Sequence, residues 1–93
     1  MNNVVTLTGY IVVPEDELEQ VMGALKIHKE LTLQESGCIS FSVQQRESEP
    51  CIFDVAEEFE SKQAFELHQQ RVAESDWGRV TKNVKRHYQV SGA

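Results

Sequence analysis

Two stretches of alternating apolar and polar residues, joined by a short turn-forming segment, constrain the fold of this chain most. Apolar side chains recur at alternate positions over residues 38–46, with Ile39 and Phe41 on one face, and again over residues 51–59. A period of two is typical of strands that bury one face. The segment 47–50, Glu-Ser-Glu-Pro, supplies turn chemistry between them. The sequence therefore predicts an antiparallel hairpin within a sheet.

A strand and a helix precede the hairpin. Residues 4–13 are rich in β-branched side chains and end at Pro14, as is typical of a strand. Three acidic residues follow, where they favour a helix N-terminus. Apolar residues then recur at helical spacing, at Leu18, Val21, Met22 and Leu25. We predict a helix from about residue 15 to about residue 33.

The last third of the chain predicts two more helices and a strand. Ser61 is a good N-cap for a helix whose stripe is Ala64, Phe65, His68 and Val72. Ser75 and Asp76 cap a short helix to about residue 83, and residues 85–90 read as a strand. The order β-α-β-β-α-(α)-β predicts an α+β, ferredoxin-like split βαβ fold with a four-stranded antiparallel sheet.

The composition limits the chain to one domain, residues 1–93, with its core at about 4–90. Its 93 residues carry a net charge of −6, and this length has room for one pocket. No apolar run approaches the ~20 residues of a membrane span, and no leader segment is visible. Residues 77–93 carry four basic and no acidic side chains, without a nucleic-acid recognition motif. We expect a cytoplasmic protein with neither a membrane nor a nucleic-acid partner.

Helices on one face of such a sheet leave the other face open. In one of two registers this face carries Val4, Tyr10 and Val12. A second copy is the simplest cover for it. We predict a homodimer formed through the open sheet face.

Two segments resemble the antibiotic biosynthesis monooxygenase (ABM) family. Residues 28–41 resemble its helix-to-strand passage, and residues 53–68 show its strand ending in Glu-Glu-aromatic before an Ala-hydrophobic-x-x-His helix. The resemblance implies a dimeric α+β barrel with a pocket between sheet and helices. It further implies a cofactor-independent monooxygenase that oxidises a small phenolic or quinol-type molecule with O₂. An isomerase acting on a small oxygenated metabolite and a non-catalytic dimeric ligand-binding module are the alternatives.

The chain departs from the haem-degrading members of that family. Those relatives contact haem through an Asn on the first strand, a Trp on the second helix and a His on the next helical segment. Here the second helix carries His68, and the next segment offers Val80 and Thr81. No cysteine or histidine pattern with metal-ligand spacing occurs either. We therefore expect no haem, flavin or metal cofactor.

His68 and Glu57 are the candidate catalytic residues. His68 lies on the inward stripe of the second helix, and histidine titrates close enough to neutrality to act as a general base. Glu57 alternates onto the face of Phe53 and Phe59, which we expect to meet the helices. A buried carboxylate is paired or has a raised pKa. The two side chains therefore form either an acid/base pair or a structural ion pair that ties helix to sheet.

Four other side chains are candidates for substrate binding: Trp77, His28, Tyr10 and Phe65. Aromatic walls suit a flat phenolic or quinoid molecule, although such residues more often form core or dimer contacts. His28 continues the stripe of the first helix toward the same pocket. Its alternative is a partly exposed histidine favoured by the helix dipole.

The two cysteines lie too far apart along the predicted hairpin to form a disulfide. With a turn near residue 48, Cys51 lies opposite about residue 45 and some ~20 Å from Cys38, too far for a disulfide. We predict two free thiols.

Arg79 and Arg86 are candidates for holding an anionic substrate, with surface ion pairing as the more common role.

Overall fold

The computed structural model describes residues 3–92, so residues 1, 2 and 93 of the predicted domain lie outside the described part. A single 3₁₀ turn at Glu15–Glu17 leads into the first helix. The elements are β1 (Val5–Val12), α1 (Leu18–Leu33), β2 (Cys38–Gln45), β3 (Ile52–Phe59), α2 (Lys62–Ala73), α3 (Asp76–Val80) and β4 (Lys85–Ser91). This order confirms the predicted one, with α3 ending three residues earlier than expected.

The four strands form one antiparallel sheet in the order β2-β3-β1-β4. β1 lies in the centre, with Val5 opposite Phe59 and Gly9 opposite both Val55 and Tyr88. Gly9 has a φ of +150°, and a Cβ there would lie 1.9 Å from the His87 carbonyl oxygen. The arrangement confirms the ferredoxin-like α+β fold.

One face of the sheet packs against the three helices and forms the core. The odd-numbered side chains of β1 and β3 point to it and are buried, as strand alternation requires; Gly9 has no side chain there. The core cluster comprises Leu7, Ile11, Val13, Val21, Phe53, Val55, Trp77 and Val84. Within residues 3–92, no helix is long and apolar enough to cross a membrane.

The hairpin departs from the predicted register in two places. Gln45 pairs with Phe53, so the turn is centred about one residue later than expected and the predicted Cys51 partner is wrong. A β-bulge lies between Cys38 and Ser40, and Ile39 is 54 % exposed. The bulge inserts one residue and inverts the alternation before it. The expectation that Ile39 shares the buried face of Phe41 is therefore wrong.

The second face of the sheet is open in the single chain and carries mostly polar side chains. Tyr10 and Val12 point to it, which settles the register left open by the sequence. The Tyr10 ring stacks on His87 at 4.6 Å, and the Arg46 guanidinium lies 5.2 Å above the same ring. Arg46 also donates two hydrogen bonds to the Asp54 carboxylate.

Candidate functional site

His68 is buried between α2 and the sheet, where the stripe of the second helix predicts it. Ser61 caps α2 by accepting a hydrogen bond from the Ala64 amide, as predicted, and this fixes which face turns inward. The His68 Nδ1 atom lies 3.1 Å from both carboxylate oxygens of Glu35. Its Nε2 atom lies 3.5 Å from Glu57 Oε1. The structure therefore brings together the two predicted catalytic residues and adds a third.

Glu57 reaches this site from β3 because the strand alternates it onto the helix side with Val55 and Phe59. Its neighbours across the sheet are Leu7 on β1 and Phe41 on β2. Burial in this apolar setting raises the pKa of Glu57 to about 7, and the nearby Glu35 charge adds to the effect. The carboxyl group thus exchanges a proton near neutral pH.

Glu35 is a site residue that the sequence reasoning missed. It follows α1 in the loop before β2, where no periodicity predicts its direction. Arg71 Nε donates to its carboxylate, and Arg71 Nη2 donates to the buried Thr32 hydroxyl. Arg71 follows His68 by three positions on α2 and so lies beside it on the helix surface. That spacing was the available signal that an acidic partner sits nearby.

The hydrogen bond to Glu35 assigns the tautomer of His68. An ionised carboxylate only accepts hydrogen bonds, so the Nδ1–H of the neutral ring donates to Glu35. The Nε2 lone pair then faces Glu57. Burial lowers the pKa of His68, while the hydrogen bond to Glu35 opposes this effect. His68 is therefore a neutral histidine whose basic nitrogen points to the interior.

His28 lies 6.0 Å from His68, measured between ring centroids, and stacks on Trp77 at 4.7 Å with 5° between the rings. Because α1 continues to Leu33 and α3 covers this turn, the ring is only 5 % exposed. The alternative of a partly exposed histidine is wrong. Burial, followed by the charges of His68 and two arginines, lowers the pKa of His28 to about 3. Among residues 3–92, its Nδ1 atom has no hydrogen-bond partner.

Two cavities meet at the stacked pair of His28 and Trp77. The inner cavity, of about 170 Å³, lies between helices and sheet beside Glu57 and His68. The outer groove, of about 460 Å³, runs between α1 and α3 and is largely apolar. Since the buried acid/base groups face the inner cavity, we take this cavity as the candidate active site.

Strand β4 adds Arg86 and Tyr88 to the inner cavity. Arg86 donates to Thr81 and to the Val84 carbonyl, so the surface ion pair expected of it is wrong. Tyr88 is 37 % exposed; partial desolvation of its hydroxyl raises the pKa of Tyr88 to about 12, an effect that Arg86 partly offsets. Arg79, by contrast, forms the expected surface pair with Asp76 at 2.8 Å.

Two predicted substrate-binding residues do not reach the inner cavity. Tyr10 is wrong as a wall of this pocket because strand alternation places it on the open face. Phe65 lies one turn before His68, but its ring packs on Phe59 at 5.7 Å within the core. Trp77 and His28 line the cavity as expected. Both cysteines are free, which confirms the predicted thiols.

Comparison with known proteins decides the family. The family model for antibiotic biosynthesis monooxygenases matches residues 4–79. The chain belongs to the ABM family. This confirms the resemblance found in residues 28–41 and 53–68. No curated protein matches the sequence significantly.

Solved structures with low sequence identity share the ABM fold of this chain. A candidate antibiotic biosynthesis monooxygenase from Nitrosomonas europaea superposes with a TM-score of 0.85 at 18 % identity, covering 100 % of this chain and 92 % of its own. MupZ from Pseudomonas fluorescens superposes with a TM-score of 0.80 at 21 % identity, covering 97 % of this chain and 68 % of its own. A candidate antibiotic biosynthesis monooxygenase from Bacteroides thetaiotaomicron superposes with a TM-score of 0.80 at 19 % identity, covering 99 % of this chain and 88 % of its own.

Proposed function

We propose that this ABM domain is a cofactor-independent monooxygenase that oxidises a small phenolic or quinol-type molecule with O₂ in the inner cavity. The observation that carries the proposal is the 3.5 Å contact between Glu57 and His68 beside that cavity. Two titratable groups with oppositely shifted pKa values are typical of acid/base sites.

The substrate itself supplies the electrons in this proposal. Overall, SH₂ + O₂ gives SO + H₂O. His68 Nε2 accepts the proton of a substrate hydroxyl, and the resulting anion reduces O₂. One oxygen atom then bonds to a substrate carbon, and the other leaves as water with the two hydrogens lost by the substrate. General-base catalysis of this kind is worth roughly 10²–10⁴-fold in rate.

The cavity walls fit an electron-rich ring that becomes an anion. Arg86 has no carboxylate partner among the described ion pairs, and its guanidinium stabilises a phenolate placed beside it. Trp77 and His28 supply flat walls. The unpartnered Nδ1 of His28 is an acceptor for a substrate hydroxyl, and its low pKa keeps the ring neutral.

The decisive experiment measures O₂ consumption by metal-stripped protein with a panel of naphthoquinols and polycyclic phenols. We expect uptake above autoxidation, and a loss of roughly 100-fold or more in His68→Ala. Lys29→Ala is the control, since that side chain is exposed on α1 and lies outside both the cavity and the open sheet face. Equal uptake by wild type and His68→Ala contradicts the role of His68 as base.

The two alternatives predict different results from the same protein. An isomerase converts its substrate under anaerobic conditions, whereas the proposed oxygenase forms no product without O₂. A non-catalytic module needs no cavity beside its buried ion pair, and here a cavity adjoins both Glu57 and His68. Absence of uptake across the whole panel would favour these alternatives.

We also propose that two copies pair through the open sheet face. The partly exposed Tyr10 and Val12 on this face support it, as does the small core available to a chain of this length. Thr8 is exposed on β1 in the middle of this face, so Thr8→Arg places a charge there. We expect the sedimentation coefficient of this variant to be that of a monomer, and that of the wild type to be that of a dimer. Glu30→Arg, on the exposed side of α1, is the control. A monomeric wild-type protein contradicts the proposal.

A further inference from the structure

Three titratable side chains, Glu35, His68 and Glu57, lie in a row between the inner cavity and a third cavity, the outer pocket. The outer pocket is distinct from the outer groove between α1 and α3. The outer pocket has a volume of about 440 Å³, is open to solvent, and is lined by Glu35, Glu60 and Arg71. The exposed side-chain fraction is 19 % for Glu35, 4 % for His68 and 8 % for Glu57. The row therefore runs from a partly exposed carboxylate beside the outer pocket to two buried side chains beside the inner cavity.

We propose that Glu35 is the positioning residue of the site: it holds His68 in the Nδ1–H tautomer and stabilises the imidazolium that forms when His68 Nε2 accepts a proton. The inference rests on the proposed function, because it assigns His68 as the base. It adds a residue that contacts no substrate and acts through His68.

The contacts of Glu35 leave His68 one arrangement. Both carboxylate oxygens lie 3.1 Å from Nδ1, and Arg71 Nε holds one of them. Because Arg71 donates to this carboxylate, its oxygens act as acceptors toward His68 Nδ1. A histidine whose Nδ1–H is held by a carboxylate presents a basic Nε2, which is the arrangement that orients histidine bases in catalytic triads. Here Nε2 points to Glu57 and the inner cavity.

The proton transfers balance over one turnover. Ionisation breaks the substrate O–H bond and forms an N–H bond at His68 Nε2, directly or through Glu57. The imidazolium keeps its Nδ1 proton in the hydrogen bond to Glu35, whose carboxylate stabilises the cation. When the second oxygen atom leaves as water, His68 Nε2 returns its proton to that oxygen, and the neutral Nδ1–H ring is restored. No net proton is gained or lost, which agrees with the stoichiometry.

Several charged or titratable groups face His68, and they come from each element packed against it. Those from the helix layer and its loop are His28, Glu35 and Arg71, and those from the sheet are Glu57, Arg86 and Tyr88. Arg71 lowers the pKa of His68, whereas Glu35 raises it. A change of Glu35 is thus expected to lower that pKa.

The first test needs no substrate and uses ¹⁵N NMR of the histidine rings in the full chain. We expect the neutral His68 ring to carry its proton on Nδ1 in the wild type and in Glu60→Gln, a matched change of an exposed carboxylate in the same pocket. In Glu35→Gln we expect a mixed tautomer and a lower His68 pKa, with both values restored in Glu35→Asp. The same tautomer and pKa in wild type and Glu35→Gln would overturn the inference.

The second test follows turnover against pH. Glu35→Gln is expected to lower kcat at least ~10-fold with KM little changed, and to move the acidic limb of the pH profile to lower pH. Equal kcat and an unmoved limb would overturn the positioning role of Glu35 in turnover. A protein that consumes no O₂ but shows the tautomer change keeps Glu35 as positioning residue and refutes only the proposed function.

Discussion

Replacing Glu57 by Gln is expected to stabilise the protein above neutral pH and to leave its stability nearly unchanged below about pH 4. Burial, with the Glu35 charge, raises the pKa of Glu57 from 4.5 to about 7 in the folded protein. Between these two values the folded state binds more protons than the unfolded state. Stability therefore falls as pH rises through this window.

The size of the effect follows from the same pKa. Each pKa unit corresponds to about 1.36 kcal/mol, so ionising Glu57 costs the folded wild-type protein about 3 kcal/mol. The side chain is only 8 % exposed, so solvent screens little of this cost. Gln has nearly the same shape, stays neutral, and donates an amide N–H toward His68 Nε2. We expect Glu57→Gln to be more stable by about 3 kcal/mol at pH 9, by about 1 kcal/mol at pH 5 and by about zero below pH 4.

Urea unfolding followed by the fluorescence of Trp77, the one tryptophan, measures this difference from pH 4 to pH 9. Protein concentration is held fixed because the proposed dimerisation would link stability to concentration. Glu58→Gln is the control, since Glu58 is the next residue on β3 and points to the open face, where it accepts from Ser40. A stability difference independent of pH, or a less stable Glu57→Gln at pH 9, would refute the reasoning.

Three further predictions concern stability, each measured by urea unfolding. His28 has a pKa of about 3 in the fold, so the free energy of unfolding decreases as pH falls below 6.5, the ordinary pKa of histidine. Between pH 7 and pH 4, His28→Phe should lose about 3 kcal/mol less of this free energy than wild type. Equal losses in the two proteins would contradict this. Gly23→Ala should stabilise α1 by about 0.5–1 kcal/mol because a Cβ there meets no atom of the described residues within 4 Å. Gly37→Ala should destabilise the protein because its Cβ would lie 2.3 Å from the Ala64 Cβ. Effects of equal sign for the two variants would be inconsistent with this packing. Ser61→Ala removes the N-cap of α2 and should lower the free energy of unfolding by about 1 kcal/mol. An unchanged free energy of unfolding would show that this cap is dispensable.

The fold and half of the site were predictable because they follow from local periodicity. Strand alternation alone places Glu57 on the helix side, and helix spacing alone turns His68 inward. Once the element order implies one sheet with helices on one face, these two groups meet. The same alternation, with its register resolved, also excludes Tyr10 from the cavity. The misplaced Ile39 shows the limit, because one bulge residue reverses a strand's faces without a signal in the pattern.

Glu35 was beyond reach because its direction depends on how closely two segments approach in the folded chain. Its loop passes against α2 at Gly37, where no side chain larger than hydrogen fits beside Ala64. Backbone hydrogen bonds hold the loop there, from the Glu60 amide to the Gly37 carbonyl and from the Cys38 amide to the Glu35 carbonyl.

Ala64 lies one turn before His68 on the same stripe of α2, so the close passage at Gly37 sets the distance between Glu35 and His68. The Cβ of Gly37→Ala must push the loop away from α2, because the atom it meets is a short side chain next to the backbone. Such a displacement acts on the 3.1 Å contacts to Nδ1 while leaving Glu57 in place on its strand. The contact between His68 and Glu57 thus depends on two regular elements, whereas the proposed control of the His68 tautomer by Glu35 depends on a single glycine.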